Sequence, residues 1–359
     1  MSTLNHQAQV KISCRDLNQE SDFFIQLGFQ LQQVFPADNP RMLVLAAYGL
    51  VLRIEKGLPV NDLTVILPNN PSQTLQPLFS PSGVAIQFHT ESNSQVDFPA
   101  QIEPLLTPFD GDESWVTGRA GMLYRDLIPS RLSGAIIASN IKIVDGGPVP
   151  DHVHYHSIQF QLIFCTKGWV KVVYEDQGEP FVLNAGDCVT QPPGIRHQVL
   201  EASDGLEVVE IGMPAEHMTT LDHHMQLPTG QNLPSRVYQH GSYGGQQFCY
   251  HQQAAVSWQA LPESGLLRSE TSVLTDSGGV AAVNVLKASA PHNASKWLIQ
   301  HQNRLHFYYV MAGQASYQQA GQENVVINDR DSFVLPPNQC LELSHFSADF
   351  QCIECMILG

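Results

Sequence analysis

The feature that most constrains this chain is that it repeats itself. The segment Lys167-Gly168-Trp169-Val170 recurs in pattern as Ala312-Gly313-Gln314-Ala315. Further on, Gly186-Asp187-Cys188-Val189-Thr190-Gln191-Pro192-Pro193 recurs as Arg330-Asp331-Ser332-Phe333-Val334-Leu335-Pro336-Pro337. These landmarks sit at offsets of 145 and 144 residues, so they share one register. Self-similarity at a fixed spacing marks a duplicated structural unit. Upstream, Arg125-Asp126-Leu127-Ile128-Pro129 leads into a strand much as Trp258-Gln259-Ala260-Leu261-Pro262 precedes its own. The reading is two homologous units, 115–230 and 231–359, behind a separate N-terminal unit, 1–114.

The duplicated units read as β-structure. Short β-branched and aromatic runs, such as Ala135–Val144, Leu162–Tyr174 and Val325–Leu335, lie between closely spaced glycines and prolines. Runs bounded in this way argue for antiparallel strands. Only 18–28 looks helical, with Ser21-Asp22 ahead of a Phe23/Phe24/Leu27 face and Gly28 where a C′ glycine would end it. Charged residues make up 14% of the chain, against about 25% in a typical soluble domain. Two packed β-units that bury much of the chain account for that shortfall and exclude a disordered, solvating polymer. The net charge of −16 argues against nucleic acid and anionic membrane surfaces as partners. No secretory signal is visible in the first ten residues, and the apolar stretch Met42–Leu52 is interrupted by Gly49 and falls short of the ~20 residues of a membrane span. The seven cysteines are odd in number and scattered, without a disulfide framework. Cys352 and Cys355 fall on one strand, where residues three apart face opposite sides, so they read as buried thiols; Cys165 and Cys188 read as core fillers. A cytoplasmic location is expected.

Histidine carries the chemistry. There are 15 against 18 Lys+Arg, and three of them, His152, His154 and His156, fall within five residues. Histidines at i and i+2 on a strand face one side, so two imidazoles reach one ion, and all three would face the same way. A further ligand must come from a neighbouring strand, and Gly186, Pro192, Pro193, Gly194 and His197 offer one after a turn. These two segments resemble the motifs of the cupin superfamily, G(x)5–6HxH(x)3–4E(x)6G and G(x)5PxG(x)2H. The second fits at Gly186, Pro192, Gly194 and His197, and in the first Gly168 sets the register. The resemblance implies two double-stranded β-helix (jelly-roll) barrels and metal ligands His154, His156, Gln161 and His197. A competing register, His152/His154/Gln159, leaves eight residues before Gly168 and fits worse.

Gln161 departs from the family's glutamate, so the implied shell is neutral and leaves the ion's charge uncompensated. Such a site favours an anionic ligand. Imidazole ligation does not choose among Fe, Zn, Ni, Mn and Cu. Arg196, Gln159 and His152 are pocket candidates, Arg196 as a clamp for an acid, and Tyr155 is expected to face outward. The resemblance implies a metal-dependent, dioxygenase-like oxidoreductase acting on a small anionic or aromatic acid. A metal-anchored sensor or binding protein, and a metal-dependent isomerase or lyase, are the alternatives; a homodimer stays open. In the second repeat the ligand positions become Ile299, His301, His306 and Leu341, so a metal site is not expected there. His217, His223 and His224 read as a polar connection. Residues 5–57, in βαβββ order with Arg15-Asp16-Leu17, Phe24-Ile25-Gln26-Leu27-Gly28-Phe29, resemble a glyoxalase/vicinal-oxygen-chelate module. That resemblance puts Gln9 at the metal-histidine position and Glu55 at the strand-end glutamate, and implies binding, regulation or dimerisation rather than chemistry.

Overall fold

The computed structural model describes residues 7–57, 64–67, 78–79, 85–88, 97–111, 114–238, 245–289, 296–319 and 321–359. The chain is mainly β, and its strands follow the duplication. In the first unit, strands Phe181–Asn184, Trp169–Tyr174, His197–Ala202, His154–Ser157 and Met218–Leu221 form one sheet in that order. The facing sheet runs Cys188–Thr190, Phe160–Lys167, Leu206–Met213, Ile137–Ile143, Leu123–Asp126 and Val116–Thr117. The second unit repeats this with Lys296–Gln300, Cys340–Ser344, Gln314–Gln319 and Val325–Asn328 against a sheet built around Ala281–Ala288, Gln351–Ile357 and Leu305–Ala312.

The segments around Pro129 and Pro262 do not share this register. Leu123–Asp126, which holds Arg125, pairs with Ile137–Ile143 as Leu266–Glu270 pairs with Ala281–Ala288. Gln259–Leu261 instead takes the place that Val116–Thr117 has in the first barrel. The glycine landmark of the repeat has a steric cause. Gly168 and Gly313 both have φ near +70° (73° and 72°), and a Cβ would strike Ser203 Oγ in one barrel and Ser347 Oγ in the other.

Strand alternation sorts each sheet into two faces. Phe160, Leu162, Phe164, Val209 and Ile211 join Val283, Val285, Phe307, Tyr309, Ile353 and Cys355 in one core between the barrels. The intervening residues, Gln161, Ile163, Val208 and Glu210, point into the first barrel. Cys355 belongs to the shared core and Cys352 to the interior of the second barrel; all seven cysteines are free. The barrels also exchange strands. Leu105–Thr107, ahead of the first barrel, pairs with Ser332–Leu335 of the second. Cys249–His251, ahead of the second, pairs with Cys188–Thr190 of the first.

The N-terminal unit has strand Gln9–Cys14, helix Leu17–Gln26, and strands Gln30–Phe35, Met42–Ala47 and Leu50–Lys56. The helix starts earlier than Ser21-Asp22: Asp16 caps it, accepting from the amides of Asn18 and Gln19. Only Phe24 of the expected face packs inward, against Phe29; Phe23 and Leu27 are exposed. Gln30–Phe35 pairs with Met218–Leu221, which pairs in turn with His154–Ser157. The expected polar connection at 217–224 is therefore partly a strand that joins the N-terminal unit to the first barrel in one sheet. Among the described residues no helix is long and apolar enough to cross a membrane.

Candidate metal centre

Register brings three histidines together. His154 lies directly opposite His197 in an antiparallel pair, and His156 lies two residues along the same strand and so on the same face. Their ring centroids are 4.2, 5.1 and 5.2 Å apart, and one nitrogen from each lies within 4.8 Å of the others. Each ring is oriented by its other nitrogen. Nδ1 of His154 donates to the His152 carbonyl at 2.7 Å and that of His197 to the Ile195 carbonyl at 3.1 Å, and that of His156 shares a hydrogen bond with Thr219 Oγ1 at 3.0 Å. This leaves the three Nε2 atoms as the side facing a shared ligand, which is how metal-binding histidines are held, though that of His154 already has Arg119 against it. All three rings are buried. Burial pushes His197 down to about 4 and holds His154 and His156 well below the usual histidine range, so they are neutral and ready to ligate.

Gln161 offers an oxygen as a fourth donor. Its Oε1 is buried and has no partner among the described residues, while its Nε2 donates to Glu210 Oε1. An amide held by its nitrogen with its oxygen orphaned fits a metal ligand, since a buried acceptor without a partner costs about 1–3 kcal/mol. Three neutral imidazoles and an amide oxygen suit a divalent ion of the first transition row.

Three carboxyls stand around this neutral set, two of them already paired with arginines, Asp38 with Arg131 and Asp151 with Arg119. Glu210 sits directly behind Gln161, Asp38 also lines the cavity, and Asp151 stands beside His154 at 3.6 Å. Burial pushes the Glu210 carboxyl up, against the bond from Gln161. Burial would also raise Asp151, but His154, Arg119 and the Val199 amide together outweigh it and hold it at about 2.

Arg119 closes the site. It comes from the turn Arg119–Gly121 between strands Val116–Thr117 and Leu123–Asp126, where its amide donates to the Ala37 carbonyl of the N-terminal unit at 3.2 Å. Its Nη1 donates to Asp151 Oδ1 and its Nη2 to His154 Nε2 at 3.0 Å. The cavity beside it measures about 110 Å³. Ile141, Val170, Val172, Leu183 and Val208 form an apolar wall; Tyr174, Gln191, Glu210 and His217 add polar atoms; Pro36, Ala37 and Asp38 enter from the N-terminal unit. Tyr174 stacks on His197 and accepts from Gln191 Nε2 at 2.8 Å.

The pocket candidates lie elsewhere. His152 precedes the strand, is exposed, and turns its ring toward His223, so the three clustered histidines do not face one way. Gln159 sits in the turn between two strands, its carbonyl accepting from Gln246, and does not line this cavity. Arg196 lies outside the barrel, over the ring of Tyr155 at 4.4 Å and bonded to Asp222 at 3.2 Å. It precedes the strand that opens at His197, and Tyr155 and Asp222 hold it on the outer side. His217, read as part of a connection, faces His156 inside the cavity, with ring centroids 5.2 Å apart; His223 instead donates to the Leu31 carbonyl. In the N-terminal unit Glu55 is bound by Lys11 and Arg53.

Arg119, Glu210, Asp38 and His217 escaped the sequence because no motif spaces them. One signal was available. Glu210 has a counterpart in Glu354 at the repeat offset, and a carboxylate is an unusual residue for a position inside a barrel.

Residues 141–211 match the Cupin domain family model. No curated protein matches the chain in sequence. Among solved structures, a deletion mutant of Bacillus subtilis oxalate decarboxylase superposes with TM-score 0.51 at 13% identity, over 72% of this chain and 78% of that one. A structure of the same enzyme concerned with its Mn(II) centres gives TM-score 0.50 at 12% identity and the same coverages. The E. coli protein Ylba gives TM-score 0.49 at 12% identity, over 75% of this chain and 97% of that one. At these identities the likeness concerns the fold, which is cupin-like.

Proposed function

We propose that this chain is a metal-dependent oxidoreductase of dioxygenase type, acting on a small carboxylic acid with an aromatic or otherwise apolar body. The observation that carries the reading is the three-histidine face with the orphaned Gln161 oxygen, placed at one end of an apolar cavity of about 110 Å³. His154, His156, His197 and Gln161 would hold the ion. When bound, a divalent ion supplies Lewis acidity and, for a redox-active metal, electron exchange with dioxygen. The chain's own residues do the rest. Arg119 orients a carboxylate, the wall of Ile141, Val172 and Leu183 takes the apolar body, and the enclosure keeps water from the reacting atoms. The oxalate decarboxylase structure concerns Mn(II) centres, which adds manganese to iron in the loading panel.

Dissolved-oxygen consumption by protein fully loaded with Fe(II) or Mn(II) tests this across phenolic and dicarbonyl acids. Uptake that depends on one acid class is expected; no uptake at full occupancy with any of them sinks the reading. A second reading rests on Glu210 and His217, two groups inside the cavity placed to hold or move a proton. Burial moves both toward their neutral forms, raising Glu210 and lowering His217. It makes the chain a metal-dependent isomerase or lyase and predicts turnover under strictly anaerobic conditions. If the acid binds tightly with neither outcome, the chain is a metal-anchored binding protein.

A further inference from the structure

Arg119 occupies a chemically awkward position. Its Nη2 donates to His154 Nε2 at 3.0 Å, and that nitrogen is the atom His154 would present to a metal, since its Nδ1 is committed to the His152 carbonyl. An imidazole Nε2 has one lone pair, so it cannot serve the guanidinium and an ion together. Arg119 cannot simply leave. Asp151 holds its Nη1 and is itself fixed by the Val199 amide at 3.0 Å, while the Arg119 amide is tied to the Ala37 carbonyl. Its Nε is buried and without a partner among the described residues. A guanidinium displaced from His154 by an ion would face that ion across a short gap, with unmet donors and like charge.

We propose that Arg119 makes the binding of a divalent ion and of a carboxylate anion mutually dependent. The ion takes the His154 lone pair and frees the Arg119 fork; a carboxylate then lies between ion and fork, accepting from the donors that lost His154 and separating the two cations. Arginine suits this role because its planar fork pairs with two carboxylate oxygens. Coupling of this kind is reciprocal: the ion tightens the anion by the same factor as the anion tightens the ion. The proposal rests on the metal reading above and adds that the site loads as an ion–anion pair. The apolar wall selects a carboxylate with an apolar body, so benzoate is a fitting probe and also a weak chelator of free metal.

The test is calorimetric titration of Co(II) into metal-free protein, with and without saturating benzoate. In the natural chain benzoate tightens Co(II) by about tenfold, a normal size for site–site coupling. In Arg119→Gln, Co(II) binds about tenfold tighter without benzoate, and benzoate adds nothing. Arg119→Lys keeps the charge but not the fork; it binds Co(II) as the natural chain does without benzoate and shows reduced coupling, which carries the test if the glutamine variant is misfolded by circular dichroism. Equal Co(II) affinity with and without benzoate in the natural chain overturns the coupling while leaving the metal site intact, as does full coupling in Arg119→Gln. Failure of the folded natural chain to take up Co(II) under either condition overturns the metal reading itself.

Discussion

The two barrels share a strand plan and differ in what fills the same interior positions. His154, His156 and His197 of the first correspond to Ile299, His301 and Leu341 of the second, and Gln161 to His306. Strand pairing fixes this: His154 faces His197 as Ile299 faces Leu341. With two of the three imidazoles replaced by buried aliphatic side chains, the one kept, His301, packs on the histidine at the Gln161 position. His301 and His306 stack at 3.6 Å with their planes 2° apart, and His301 Nε2 donates to the Leu335 carbonyl. The buried glutamate shared by both barrels is also used differently. Glu210 bonds the amide of Gln161, whereas Glu354 accepts from Tyr308 and Asn284 at 2.8 and 2.7 Å. One barrel leaves the Gln161 and Gln191 oxygens unmet around a cavity. The other ties Glu354, Tyr308 and Asn284 to one another, leaves His301 Nδ1 without a partner among the described residues, and fills the space with Tyr308 and Phe333. Orphaned acceptors that converge beside a cavity gain from an ion, and a filled interior has no room for one.

That contrast can be broken most sharply at His197. His197→Ala is expected to abolish metal uptake, measured as metal per chain by mass spectrometry. His301→Ala in the other barrel should leave the ratio unchanged. Retention of metal by the first variant would show that the histidine face is not the site.

The support behind the ligands comes next in size. Thr219→Val removes the hydrogen-bond partner of His156 Nδ1 and is expected to weaken metal binding by about 10–100-fold, the usual effect of losing such a partner. An unchanged affinity in a competition titration would mean His156 does not ligate through Nε2.

In the second barrel the matching lesion affects stability rather than metal. Tyr308→Phe leaves Glu354 and His306 short of a partner and should cost about 1–3 kcal/mol, read as a lower denaturation midpoint at unchanged metal content. No loss of stability would show that the network adds nothing to the fold.

The smallest effect at neutral pH is acid sensitivity of that network. Burial lowers His306 to about 3 from an ordinary 6.5, so between these values the unfolded chain binds a proton the folded one refuses. Stability is then present above 6.5 and declines as pH falls toward 3. Thermal midpoints measured across this window should drop less steeply in His306→Gln; parallel curves would contradict the assignment.

Much of the metal face was legible because it depends on local rules. A two-residue period puts His154 and His156 on one side, and the spacing through Gly168 and Gly194 sets which strands meet. Local rules also misplaced some residues. His152 obeys the same period on paper, but the strand begins at His154, so alternation does not reach it. Arg196 looked like a clamp because it adjoins His197, yet it stops short of the strand that His197 opens and is held outside by Asp222 and Tyr155. His217 looked like loop because no pattern marks the strand Met218–Leu221 that follows it.

The sequence by itself determined the duplication, the β-class, the strand register of the first barrel and the loss of ligands in the second. These follow from spacing, and spacing along a strand translates directly into direction. Only the tertiary structure decided that Asp38 and Ala37 of the N-terminal unit close the barrel, that Glu210 backs Gln161, and that Arg119 lies on the nitrogen of His154. Those meetings join residues far apart in the chain, and which of them occur is set by how whole sheets pack.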